Sequence, residues 1–131
     1  MDALSPSQLD RILEVAVKAA DIGQKILADY YGRISQIKEK DLAGLVSEAD
    51  VASEKAITQY LRQEFPDYDV MGEEAHFKNP DEKLVRRGRW VLDPLDGTTN
   101  YIHQFPIYCV SIGFEWMGES VVGVINVPIF G

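Results

Sequence analysis

The stretch Trp90-Val91-Leu92-Asp93-Pro94-Leu95-Asp96-Gly97-Thr98-Thr99-Asn100-Tyr101 decides how the rest of this chain is read. Arg89 to Leu92 is rich in β-formers and predicts a short strand that delivers Asp93 at its end. Pro94 fixes one backbone angle and withholds a donor, so the chain is expected to turn there at once. Asp96 returns three residues later, and in such a turn both carboxylates can point the same way with the Leu95 carbonyl between them. Three oxygens from one short segment suit a hard cation, magnesium first and manganese as a substitute. Gly97 lets the backbone approach a ligand closely. Thr98 and Thr99 offer hydroxyl and N–H groups, and a helix opened by Thr98 would present a positive end to a phosphate. Asp96-Gly97 alone is a common turn dipeptide. The weight lies in the whole block after an apolar strand, with Gly72-Glu73-Glu74 upstream.

Working outward, Ser5-Pro6-Ser7-Gln8 predicts a capped helix start. Leu9, Ile12, Leu13, Ala16, Ala20, Ile26, Leu27 and Tyr30 continue it at helical spacing to about Tyr31, with Gly32 as the stop. Ile34 to Leu45 is mixed and polar and reads as strand or loop. Ser47 is expected to cap a second helix with Asp50 at its third position; Ala56, Ile57, Tyr60, Leu61 and Phe65 form its apolar face, and Pro66 ends it. Asp69 to Gly72 reads as a short strand, and Ala75 to Gly88 as polar chain with a turn at Asn79-Pro80-Asp81. Ile107 to Trp116 and Val121 to Val127 are apolar runs joined through Met117-Gly118-Glu119-Ser120, which predicts a hairpin. Two long helices against several strands imply an α+β layered fold, helices packed on a largely antiparallel sheet. The closing Val127-Pro128-Ile129-Phe130-Gly131 reads as an apolar strand that leaves an edge and an apolar face without an evident cover.

The chain has 131 residues, 46% hydrophobic and 26% charged, which is enough for one domain with a real core. No apolar run reaches membrane-spanning length, and Met1 to Asp10 lacks the basic and apolar regions of a signal peptide, so a cytoplasmic protein is expected. A net charge of -8 argues against nucleic acid or anionic lipid as partners. Arg86, Arg87 and Arg89 read as a solvated loop before a strand. The single Cys109 has no disulfide partner and, within its apolar run, reads as a buried inert thiol. His76 and His103 lack ligand spacing and read as structural or exposed.

The block Asp93 to Asn100 resembles the first signature of the inositol monophosphatase family, D-P-[IL]-D-G-T-T-N. Gly72-Glu73-Glu74 resembles its acidic motif, Leu45-Val46-Ser47-Glu48-Ala49-Asp50 its L-V-T-x-x-D segment with serine for threonine, and Phe105-Pro106 and Ile112-Gly113-Phe114 also match. The resemblance implies a layered sugar-phosphatase-like fold and a magnesium-dependent phosphomonoesterase acting on inositol monophosphate. It implies that Glu73, Asp93 and the Leu95 carbonyl hold one magnesium, that Asp93 bridges to a second shared with Asp96, and that Gly97 and Thr98 N–H groups hold the phosphate. Thr98, Asp50 and Glu73 would orient the attacking water. Asp50 also fits plain complementation of a helix dipole, and either Lys38 or Lys40 could match a family lysine near the site. The implied partner is a small phosphorylated polyol or sugar, with a homodimer in the full-length form and sensitivity to lithium.

Family members are roughly twice as long on the one-domain scale. Their second signature, W-D-x-A-A/P-G, has no match here: Trp90 and Trp116 are followed by Val91 and Met117. Residues 1–131 are therefore expected to form the N-terminal metal- and phosphate-binding part of such a domain, inactive alone. Histidinol phosphate, fructose bisphosphate or a nucleotide 3′-phosphate remain alternative substrates, and a non-catalytic cation-binding remnant is the alternative from another class.

Overall fold

In the computed structural model, which describes residues 3–72 and 88–130, helix α1 spans Pro6–Tyr31. Its start follows the local chemistry: the Ser5 hydroxyl accepts from the Gln8 N–H, and the Gln8 side chain accepts from the Ser5 N–H. Gly32 caps the end in right-handed geometry, so the helix stops there without drawing on glycine's freedom. The segment Ile34 to Leu45 is neither strand nor plain loop. It forms two short 3-10 turns, Ile34–Gln36 and Glu39–Asp41, and then enters α2, which spans Leu42–Glu64.

Ser47 therefore does not cap α2, and Asp50 is not at its third position; both lie in the helix interior. The physical reason is the apolar stripe. Leu45, Val46 and Ala49 are buried with Ile57 and Leu61, so helical packing extends more than a turn ahead of Ser47 and overrides its capping preference. The two helices meet closely at Gly23, where a Cβ would come within 2.6 Å of Ile57 Cδ1.

Strands β1 (Asp69–Gly72), β2 (Gly88–Asp96), β3 (Cys109–Trp116) and β4 (Glu119–Asn126) form one sheet in that order. β1 pairs parallel with β2, and the other two pairings are antiparallel, so the sheet is mixed. Helix α2 lies over β1 and β2, and α1 over β3 and β4, both on one face. Trp90, Leu92, Val110, Ile112 and Phe114 point into that layer and are buried, as the period of two requires. Met117 and Gly118, both at positive φ, alone turn β3 into β4, a tighter hairpin than the four-residue join expected. After β4 the chain forms a 3-10 turn at Pro128–Phe130 rather than continuing as strand. Arg89 is not in a loop but in β2, with its guanidinium paired to Glu115 at 2.6 Å; Arg86 and Arg87 lie outside the described residues.

Candidate metal and phosphate site

Strand β2 does not end at Leu92, and Pro94 does not turn the chain out of the sheet. The strand continues to Asp96 through a bulge. Asp93 pairs with Ser111 and Asp96 with Cys109, so Pro94 and Leu95 together stand opposite Val110 alone. Proline is tolerated at such a point because the ladder asks no donor of it. The bulge has a decisive effect on the carboxylates. In a regular strand, residues three apart face opposite sides. Ser111 and Cys109, two apart on β3, share a face, so their partners Asp93 and Asp96 share it too. That face is the one turned away from the helices.

The backbone of the bulge is held from several sides. The Pro94 carbonyl accepts from the Ser53 hydroxyl of α2 at 3.0 Å. The Leu95 N–H donates to Asp93 Oδ1 at 3.3 Å, and the Thr98 hydroxyl lies at 3.5 Å from the Leu95 carbonyl. Gly97 follows at φ +89, which favours glycine, and a Cβ there would also stand tightly against the Ile107 carbonyl at 3.1 Å. Thr98 then opens the short helix α3, Thr98–Ile102, as the sequence predicts.

Helix α3 is tied down by side chains. Asn100 Nδ2 donates to the Ile107 carbonyl at 2.8 Å. The buried Tyr101 hydroxyl donates to the Leu27 carbonyl of α1 at 2.5 Å. Its ring meets Tyr108 edge-on at 4.8 Å and Tyr31 at 5.4 Å. Burial first, then the neighbouring Tyr108 and Tyr31, hold the Tyr101 hydroxyl well above the ordinary tyrosine range.

Asp50 sits on α2, half-buried, three residues before Ser53 and so on the same side of the helix. That places it one turn from the point where α2 meets the bulge. The Cys109 thiol is half-buried rather than core, and it contacts Asp96 Oδ2 at 3.8 Å. Burial, then Asp96 and last Asp93, push the pKa of this thiol up. His103 caps α3 and is exposed; Lys38, just before the second 3-10 turn, and Lys40, within it, are exposed too. Glu73, Glu74 and His76 lie outside the described residues. Asp93, Leu95, Asp96, Gly97 and Thr98 thus lie in one segment, and Asp50 lies on α2, behind the sheet face that carries Asp93 and Asp96.

Among the described residues no three His, Cys, Asp or Glu side chains form a metal-ligating group; two carboxylates and a backbone carbonyl make up the described part of the donor set. Those donors are hard oxygens and fit a magnesium-like cation. Sequence reasoning missed Ser53, Asn100 and the Tyr101 anchor. Ser53 carried a signal, a lone hydroxyl in the stripe Ala49, Ser53, Ile57, Leu61 at spacing four.

Helices on one face of a mixed sheet make this an α+β fold, and solved inositol monophosphatases share it over the length matched. The solved inositol monophosphatase of Anabaena (Nostoc) sp. superposes with a TM-score of 0.73 at 34% identity, covering 95% of this chain and 41% of that one. The chain belongs to the inositol monophosphatase family, whose model matches residues 8–131. It is 37% identical over 121 residues to inositol monophosphatase 3 of Solanum lycopersicum, covering 92% of this chain and 45% of the relative. It is 40% identical over 121 residues to a histidinol-phosphatase of Chlorobaculum parvum, with 91% and 45% covered. The chain therefore spans under half the length of these relatives. No described helix is long and apolar enough to cross a membrane.

Proposed function

We propose that residues 1–131 are the N-terminal metal- and phosphate-binding part of a magnesium-dependent phosphomonoesterase that hydrolyses inositol monophosphate. The observation that carries this reading is the bulge at Pro94 and Leu95, which turns Asp93 and Asp96 onto one face of the sheet. Asp93, Asp96 and the Leu95 carbonyl would hold divalent cations together with Glu73. Bound divalent cations supply the positive charge that acidifies water and neutralises attacking and leaving oxygens. The Thr98 hydroxyl, with the Asp50 and Glu73 carboxylates, would orient the attacking water by accepting its hydrogen bonds. The N–H groups of Gly97 and Thr98 receive the phosphate oxygens, Gly97 because nothing on its Cα obstructs them. In this reading the full-length protein is a cytoplasmic homodimer and is inhibited by lithium, a small hard ion without magnesium's charge.

The test is phosphate release from inositol monophosphate with magnesium, by this chain and by the longer protein. Turnover by the longer protein that needs magnesium and falls with lithium supports the reading; turnover unchanged by chelation sinks it. Histidinol phosphate is the second substrate to assay, because the histidinol-phosphatase relative shares 40% of the matched residues against 37% for the inositol one. Manganese bound without turnover in either form would favour a cation-binding remnant.

A further inference from the structure

We propose that Ser53 is a positioning residue for the cation-binding segment: its buried hydroxyl holds the Pro94 carbonyl and thereby sets where Asp93, Leu95 and Asp96 stand. The inference rests on the cation-site reading given above and assigns a role to a residue outside the family signatures quoted for this chain.

Ser53 is fully buried and is the one buried polar residue among those described. Its neighbours along the helix stripe, Ala49, Ile57 and Leu61, are apolar and equally buried. An alanine would satisfy the packing there, and a buried hydroxyl is unfavourable unless it is bonded. A serine inside a helix commonly donates back to the carbonyl four residues earlier. Ser53 instead donates across the fold to Pro94, at 3.0 Å. The room for that geometry comes from α1, where a Cβ on Gly23 would lie 2.9 Å from Ser53 Oγ.

The carbonyl it holds is at a mechanically weak point. Pro94 and Leu95 face Val110 without one-to-one pairing, so the ladder alone does not fix this peptide. The Pro94 carbonyl belongs to the peptide that joins Asp93-Pro94 to Leu95. Holding it restricts the Pro94–Leu95 peptide plane and so narrows the range of positions open to Asp93 and Leu95 on either side. Ser53 stands to the cation donors as an outer-shell partner does, although it grips the backbone between donors rather than a donor itself.

The experiment compares the chain with its Ser53→Ala, Ser53→Cys, Ile57→Val and Asp93→Asn variants. Manganese titration followed by electron paramagnetic resonance reads cation affinity. Amide hydrogen exchange in the metal-free protein reads the segment 95–98. Ser53→Ala is expected to weaken manganese binding about tenfold or more, the usual cost of losing an outer-shell partner. It should also speed exchange at 95–98 while leaving the core of α2 protected. Ser53→Cys, near in size with a weaker donor, gives an intermediate loss and serves if the alanine variant does not fold. Ile57→Val loosens the same seam but keeps the hydroxyl, and should leave manganese affinity unchanged. Wild-type affinity in the serine variants, or an equal loss in Ile57→Val, overturns the positioning role. Equal binding by wild type and Asp93→Asn overturns the cation reading itself. The metal-free exchange data distinguish the two failures, because they report the Ser53 anchor without any cation.

Discussion

The two faces of the sheet are written by alternate residues of the same strands, yet they have different tasks. The face toward α1 and α2 carries Trp90, Leu92, Val110, Ile112 and Phe114, all buried. The opposite face carries Arg89, Val91, Asp93 and Asp96 on β2, with Glu115, Ser111 and Cys109 across from them. One face has its side chains locked by helix packing; the other has charge, partial exposure and the candidate donors. The difference teaches that this site borrows its rigidity from behind. Its carboxylates stand on a strand whose reverse side is core, and Ser53 reaches through that core to the bulge.

The largest effect that could break this comparison is on the packed face. Trp90 is fully buried, with Phe114 edge-on at 4.8 Å. Trp90→Ala should cost about 3–5 kcal/mol of unfolding free energy, the range for deleting a large core aromatic. Its neighbour Val91, exposed on the other face, should lose less than about 1 kcal/mol as alanine. Urea unfolding of both variants checks the contrast, and equal losses would show that the faces are not distinct. Next in size is Asp93→Asn on the outer face. It should weaken manganese binding at least about tenfold, which is about 1.4 kcal/mol, while unfolding free energy moves by less than about 1 kcal/mol. Calorimetry alongside denaturation separates those two readings.

The smallest effect sharpens the link between the faces. Tyr101→Phe removes the hydrogen bond from α3 to the Leu27 carbonyl and should cost about 1 kcal/mol at neutral pH. Because burial raises the folded-state pKa of this hydroxyl, its contribution is present below the ordinary tyrosine pKa of about 10 and is lost as pH rises beyond it. The parent chain should lose stability above about pH 10 more steeply than the Phe variant. Parallel slopes would remove Tyr101 as the source.

Features set by neighbours in sequence were legible. The capping box at Ser5 and Gln8 is chemistry between residues three apart, and β1 begins at Asp69 as expected. The pairing of Asp93 with Asp96 was also legible, although its geometry was not. A turn after Pro94 and a bulge within a continuing strand both put these two residues on one side, and only the register against Ser111 and Cys109 distinguishes them. The start of α2 was hidden because Ser47 offers a capping hydroxyl that tertiary burial of Leu45 and Val46 overrules. Ser53 and Tyr101 were missed as anchors because their acceptors, Pro94 and Leu27, lie 41 and 74 residues away.

Trp90 gives the packed face an optical signature. Its indole is sealed between sheet and helices, beside Phe65 and Phe114, whereas the chain's other tryptophan, Trp116, is only partly covered at the far end of β3. An indole in so dry a setting emits at short wavelength, and the half-wet one emits further to the red. With Trp116 replaced by phenylalanine, the remaining fluorescence would come from the layer that backs the carboxylates. Its colour would then report whether that layer stays closed while cations are added on the other side.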